Sequence, residues 1–186
     1  MPRFIFRLKN ASFVPKDAKG LLQKSRKLLR DVSIIVMDCR VSYRDIEIDI
    51  TCPIEKGDGI MKSLSAIAVP EGTDEIAERK EEKFDAIERG KKLFSNQRYW
   101  EAHEAFEGAW RKSEGDEKEI LHAIILISAA LVHSQKDENE VCFSIMTRAL
   151  EKLEGKTGSY HGIETEELHE RVERAVSKKS VEKLRL

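Results

Sequence analysis

The sequence predicts an α+β protein, with an amino-terminal ferredoxin-like β-α-β-β-α-β domain over residues 1–70 and a carboxy-terminal all-α bundle of about five helices over residues 73–186. Three observations carry this reading. Apolar and charged residues alternate in Arg3–Lys9 and Asp45–Thr51, the period of a strand with one buried face. From Thr73 onward that period disappears and apolar residues recur at helical spacing. Within this half, Ile120–Val132 is apolar almost all round, as suits a helix surrounded by others.

In Arg3–Lys9, Phe4, Phe6 and Leu8 share one side, and Arg3, Ile5, Arg7 and Lys9 the other. Pro15 then opens a helix over Lys16–Arg30. A wheel at about 100° per residue gathers Ala18, Leu21, Leu22, Leu28 and Leu29 opposite Lys16, Lys19, Gln23, Arg26, Lys27 and Arg30. Ser33–Val41 is apolar and rich in β-branched residues, which favour strands. After a turn at Ser42-Tyr43-Arg44, Asp45–Thr51 turns Ile46, Ile48 and Ile50 inward and Asp45, Glu47 and Asp49 outward. A helical segment, Glu55–Leu64, leads into a short apolar strand, Ala66–Val69, completing the split β-α-β-β-α-β order.

Pro70-Glu71-Gly72 breaks the pattern, and Thr73 with Asp74 and Glu75 reads as a helix cap with acids in the first turn, which sets the domain boundary. Helices are expected over Thr73–Phe94, Arg98–Lys112, Asp116–Ser134, Glu138–Leu153 and Thr165–Val176. Turn-forming residues separate them at Ser95-Asn96-Gln97, Gly115, Lys136-Asp137 and Gly155 to Gly162. The charged tail Ser177–Leu186 is expected to fray.

A chain of 186 residues can bury a core without disulfide or metal support. Its 33 basic and 34 acidic side chains leave a formal net charge of −1, so the whole molecule exerts no long-range pull on nucleic acid or membrane. Cys39, Cys52 and Cys142 are odd in number and lack Cys-x-x-Cys spacing, which argues for reduced thiols rather than a disulfide framework or structural zinc. Met1–Asn10 carries three cations and lacks the apolar stretch of a secretory signal, and Ile120–Val132 is too short to span a bilayer. A soluble cytoplasmic protein with no membrane partner is expected. There is no glycine-rich phosphate loop or nucleophile elbow, so nothing supports nucleophilic catalysis.

Polar chemistry concentrates in Tyr99–Arg111. On its wheel the core stripe is Tyr99, Ala102, Phe106, Ala109 and Trp110, with His103 inside the stripe, about 20° from Trp110. His103 is therefore expected to be buried. Glu107 follows one turn later at the stripe's edge, Glu104 lies further round, and Glu101 is expected in water. His103 and Glu107, at i and i+4, can act together.

Two readings stand for that pair. In one, the carboxylate satisfies a core imidazole and fixes helix register. In the other, Tyr99, His103, Glu104, Glu107 and Trp110 line a pocket in which the imidazole carries protons or binds a metal. A helical hairpin about Gly115 sets Glu107 opposite Ala123, beside His122, and His103 at the level of Ile127 and Ser128. His103, Glu107 and His122 are thus the candidate ligands. His133 lies about 16 Å of helix rise beyond His122 and cannot share an ion with it. Neither a His-Glu-x-x-His nor a paired Glu-x-x-His motif is present, so no metal or other cofactor is assigned. His161 and His169 are expected to face solvent.

Residues 1–30 hold nine cations against the single acid Asp17, and Lys16, Lys19, Arg26, Lys27 and Arg30 form a candidate anion-binding face. An RNA-stacking sheet would also need exposed aromatics, whereas the outward residues here are Arg3, Ile5, Arg7, Glu47 and Asp49. Those opposite charges are expected to pair across the first and third strands.

The run Leu93-Phe94-Ser95-Asn96-Gln97-Arg98-Tyr99-Trp100-Glu101-Ala102-His103-Glu104-Ala105-Phe106-Glu107-Gly108-Ala109-Trp110-Arg111 resembles the signature of domain-of-unknown-function family 309, with its His-Glu-x-x-Glu and Trp spacing. Leu121-His122-Ala123-Ile124-Ile125 and Ala129-Ala130-Leu131-Val132-His133 are similar to the start and finish of that family's long apolar helix, and the resemblance runs roughly from Ala86 to Val176. His122 stands where the family pattern suggests glutamine, and Gln97 where it suggests glycine. The resemblance implies a compact helical domain and adds His133 to the candidate pocket, but it implies no reaction. Whether the protein is an enzyme stays open. The best reading is a buried His/Glu pocket in a helical bundle that binds a small molecule or a metal. The alternative is a non-enzymatic binding module whose basic helix 16–30 meets nucleic acid or an acidic partner, with a homo-oligomer also open.

Overall fold

The computed structural model describes residues 1–77, 80–181 and 184–186. Its contacts divide the chain into two compact units: Met1–Glu78 with Gln135–Asp137, and Arg79–Ser134 with Glu138–Leu186. The chain is α+β, with an amino-terminal antiparallel sheet and several carboxy-terminal helices. Among the described residues no helix is long and apolar enough to cross a membrane.

The first unit runs β1 (Arg3–Lys9), α1 (Ala18–Leu28), β2 (Ile35–Val41), β3 (Asp45–Thr51), α2 (Gly57–Leu64) and β4 (Pro70–Ile76). Its strands pair antiparallel in the order β2-β3-β1-β4. Phe6, Leu8, Ile46, Ile48 and Ile50 lie on one sheet face and pack with Leu21 of α1 and Ile60 and Leu64 of α2 into one core, as the strand period predicts.

The last strand corrects the sequence reading. Residues expected to cap a helix at Thr73 form β4 instead, the strand lies beyond Ala66–Val69, and the next helix begins at Lys83. Local signals favoured a cap, but β4 gains a ladder along β1, from Arg3↔Ile76 to Leu8↔Pro70 with one register shift between Arg7 and Leu8, and an Arg7–Asp74 ion pair. As an edge strand it tolerates Pro70, and its charges suit a position open on one side.

The sheet's second face is a correction of another kind. Glu47 and Asp49, expected outward, are 2% and 0% exposed. The expected pairing across the first and third strands is seen for Arg3 with Asp49, and β2 adds a cation that the sequence reading did not include. Arg3 donates to both Asp49 oxygens at 2.8 and 2.6 Å. Arg40, itself 1% exposed, donates through Nε to Glu47 at 2.9 Å and through Nη1 to Asp49 at 3.4 Å. Burial opposes the Arg40 charge, but Glu47 and Asp49 outweigh it and hold the guanidinium protonated.

The second unit contains α3 (Lys83–Ser95), α4 (Tyr99–Trp110), α5 (Gly115–Ser134), α6 (Asn139–Leu153) and α7 (Thr165–Lys178). A small hairpin, β5 (Ser159–Tyr160) with β6 (Ile163–Glu164), joins the last two, so the helical half is not purely α. In α5, Leu121, Ala123, Ile124, Ile127 and Ala130 are fully enclosed, as the all-round apolar pattern requires. The tail does not simply fray: Leu184 is 8% exposed and belongs to the helical core.

The α3–α4 corner sets up the site. The Gln97 amide donates to the Phe94 carbonyl and the Arg98 amide to the Leu93 carbonyl, the paired bonds of a Schellman helix end. Gln97 accordingly sits at φ +61°, the left-handed region that favours glycine. Once the chain has reversed, Gly90 lets Phe106 approach so closely that a Cβ there would lie 2.6 Å from the ring.

Candidate functional site

α4 presents His103, Glu104 and Glu107 together, with one ligand-capable atom from each lying within 4.8 Å of the others. Positions i, i+1 and i+4 share one sector of a helix, so a single element assembles the cluster. His103 is half-buried, Glu107 half-buried and Glu104 exposed. This corrects the fully buried His103 expected from the wheel and brings in Glu104, which the wheel placed further round. The physical reason is position: His103 reaches the α5 backbone at Ile125 but shares its sector of α4 with the exposed Glu104.

His103 Nδ1 lies 3.3 Å from the Ile125 carbonyl oxygen of α5. A carbonyl can only accept, so Nδ1 carries the proton, and it is Nε2 that offers a lone pair when the imidazole is neutral. Glu107 accepts from Arg111 Nη2 at 3.1 Å through Oε1. Glu107 therefore does not satisfy the imidazole through the bond that a register-fixing pair would require; the Ile125 carbonyl does that work.

The other expected residues scatter. Trp110 lies one turn beyond Glu107 and packs on His122 at 6.1 Å, with Lys118 Nζ over its ring at 4.6 Å. Its indole N–H is buried without an acceptor among the described residues. His122 is absent from the cluster because Trp110, not Glu107, meets it. Burial and the neighbouring Lys152 and Arg148 charges press its pKa down, against Glu119. Tyr99 stacks edge-on against Phe94 at 5.0 Å, and burial pushes its hydroxyl up to about 12. His133 donates from Nδ1 to Glu138 at 2.5 Å and clips the α5–α6 turn. Glu101, expected in water, is 9% exposed, because Arg98 turns back and donates through Nε to its carboxylate at 2.6 Å.

The candidate anion face on α1 is thinner than its sequence suggests. Arg26 is spent on the edge of β2, donating through Nε and Nη2 to the Val36 carbonyl at 3.1 and 3.0 Å. Lys16, Lys19, Lys27 and Arg30 are exposed. Sequence reasoning missed Arg40, although an arginine near Asp38 in a strand of mostly apolar residues was the available signal. It also missed the basic end of α7.

Fold and cluster together define an α+β protein whose helical unit carries an imidazole and two carboxylates on one helix face. Residues 87–143 match the family described as Domain of unknown function (DUF309), a segment that spans α4, α5 and all three clustered residues. That description names no activity, and it covers a shorter stretch than the resemblance implied. No curated protein matches the chain.

Proposed function

We propose that the helical unit binds a divalent transition-metal ion through His103, Glu104 and Glu107, leaving coordination positions open to water or a small ligand. The supporting observation is the convergence of the three donors within 4.8 Å with the imidazole already oriented. A ligating histidine commonly donates its second ring N–H to a carbonyl or carboxylate, which fixes the tautomer and aims the other nitrogen. His103 has that arrangement through Ile125. One imidazole and two carboxylates suit zinc, manganese or iron(II) better than a soft ion. Three protein ligands are the number typical of sites that keep a position open. Glu107 can ligate through one oxygen while Arg111 retains the other.

The test is metal content in untagged full-length protein purified without chelator, compared with His103→Ala and Glu104→Gln. Stoichiometric metal in the wild type and its loss in His103→Ala are expected. Equally trace metal in all three proteins removes the reading.

The first unit is read as ferredoxin-like, supported by the split order of its elements and the β2-β3-β1-β4 sheet. The two units are read as separate domains with the boundary after β4. A cytoplasmic location is supported by three free, buried cysteines.

A further inference from the structure

The metal reading uses nothing at the far end of α7, where a second polar feature lies. The first turns of this helix carry Glu166, Glu167 and Glu170, whereas Arg171, Arg174 and Lys178 gather toward its end. Together with Arg185 of the tail and one acid, Glu167, these three cations line a cleft of about 520 Å³ whose apolar surface comes from Ala175 and Leu184. We propose that this cleft binds a small organic diphosphate or triphosphate.

The charges are unequal in their freedom. Arg171 is committed to building the cleft: Nη2 donates to Glu167 at 2.5 Å, and Nη1 donates to the Arg185 backbone carbonyl at 3.1 Å, which ties the tail across the helix. Arg174 has Glu170 at 3.8 Å, with both side chains mostly exposed, a contact of little energetic weight. Lys178 and Arg185 have no carboxylate partner among the described residues. Among the described residues, Arg174, Lys178 and Arg185 thus bring positive charge to the cleft that its one lining acid, Glu167, already paired with Arg171, does not offset, and a multiply charged anion relieves their mutual repulsion. Guanidinium forks match phosphate oxygens in geometry, while the ammonium adds a point charge.

The α7 carboxy terminus opposes an anion, but its dipole amounts to roughly half a negative charge, against three full positive ones. Leu184 and Ala175 offer contact to the organic part of the ligand. A polynucleotide fits less well, because the chain's net charge of −1 supplies no long-range attraction for a polyanion.

Titration calorimetry on the full chain in EDTA, with inorganic pyrophosphate, tests the proposal independently of the metal site. Saturable binding is expected. It should weaken at least about tenfold in Arg174→Gln/Lys178→Gln, weaken also in Arg185→Gln, and stay unchanged in His103→Ala. Circular dichroism establishes that the exposed-residue variants are folded. The proposal is overturned if pyrophosphate does not saturate, if the double variant binds equally well, or if a single-stranded RNA oligonucleotide binds at low salt where pyrophosphate does not.

Discussion

Gln97 holds a left-handed backbone at φ +61° in a helix-ending motif that ordinarily uses glycine. The cost for a residue with a Cβ is about 1 kcal/mol. Gln97→Gly should therefore raise stability by about that amount in urea denaturation, and a loss of stability would show that the Gln97 side chain matters more than its backbone. Gly90 shows the opposite logic. An alanine is normally the better helix former, yet its Cβ would lie 2.6 Å from Phe106. Overpacking outweighs propensity, so Gly90→Ala should destabilise by about 1–3 kcal/mol. Adding Phe106→Leu should recover part of the loss; without recovery, the clash is not its cause. At both positions the residue type was plain in the sequence, but its backbone angle or its neighbour was not.

At the scale of elements, β2 and β3 are tied by Arg40, whose removal takes its short bond from the buried Glu47 carboxylate while Asp49 keeps Arg3. Breaking a buried ion network from one side typically costs 3–5 kcal/mol, because the remaining charge stays desolvated. Arg40→Ala should lose about that much in chemical denaturation, and a loss under about 1 kcal/mol would show that the carboxylates reach water once the arginine is gone.

The start of β3 carries a pH-sensitive contact. Burial raises the Asp45 carboxyl to about 6, helped by its hydrogen bond with Glu71 and by the Glu71 and Glu47 charges, while Arg7 opposes the shift. A carboxyl whose folded pKa is raised binds its proton more tightly in the native state. Its stabilisation is therefore complete below the unfolded value of 3.8 and is lost as pH rises through about 6. The melting temperature of the wild type should fall relative to that of Asp45→Asn across that window. A constant difference between the two would remove the shared-proton account.

For the whole molecule, the two units place the metal candidates and the buried ion network in different parts of the chain, since His103, Glu104 and Glu107 belong to the second unit and Arg40, Glu47 and Asp49 to the first. A ligand that binds only the folded state stabilises what it touches. Hydrogen exchange on the full chain with added zinc should therefore slow in α4 and α5 and stay unchanged in β1–β4. Equal slowing in the sheet would point to binding elsewhere or to coupling of the units.

Much of this protein was legible in its sequence because periodicity records burial. Alternation placed β1 and β3, the all-round apolar run placed α5, and the spacing of Tyr99–Arg111 identified the helix that carries the polar cluster. Only the tertiary structure decided the remainder. β4 is a strand because β1 offers it a ladder, overriding a local cap signal. Glu47 and Asp49 are buried because Arg40 meets them from another strand. His103 presents Nε2 because a carbonyl of α5 holds Nδ1. Each depends on a partner distant in sequence, and a residue's own spacing carries no record of which partner folding will bring to it.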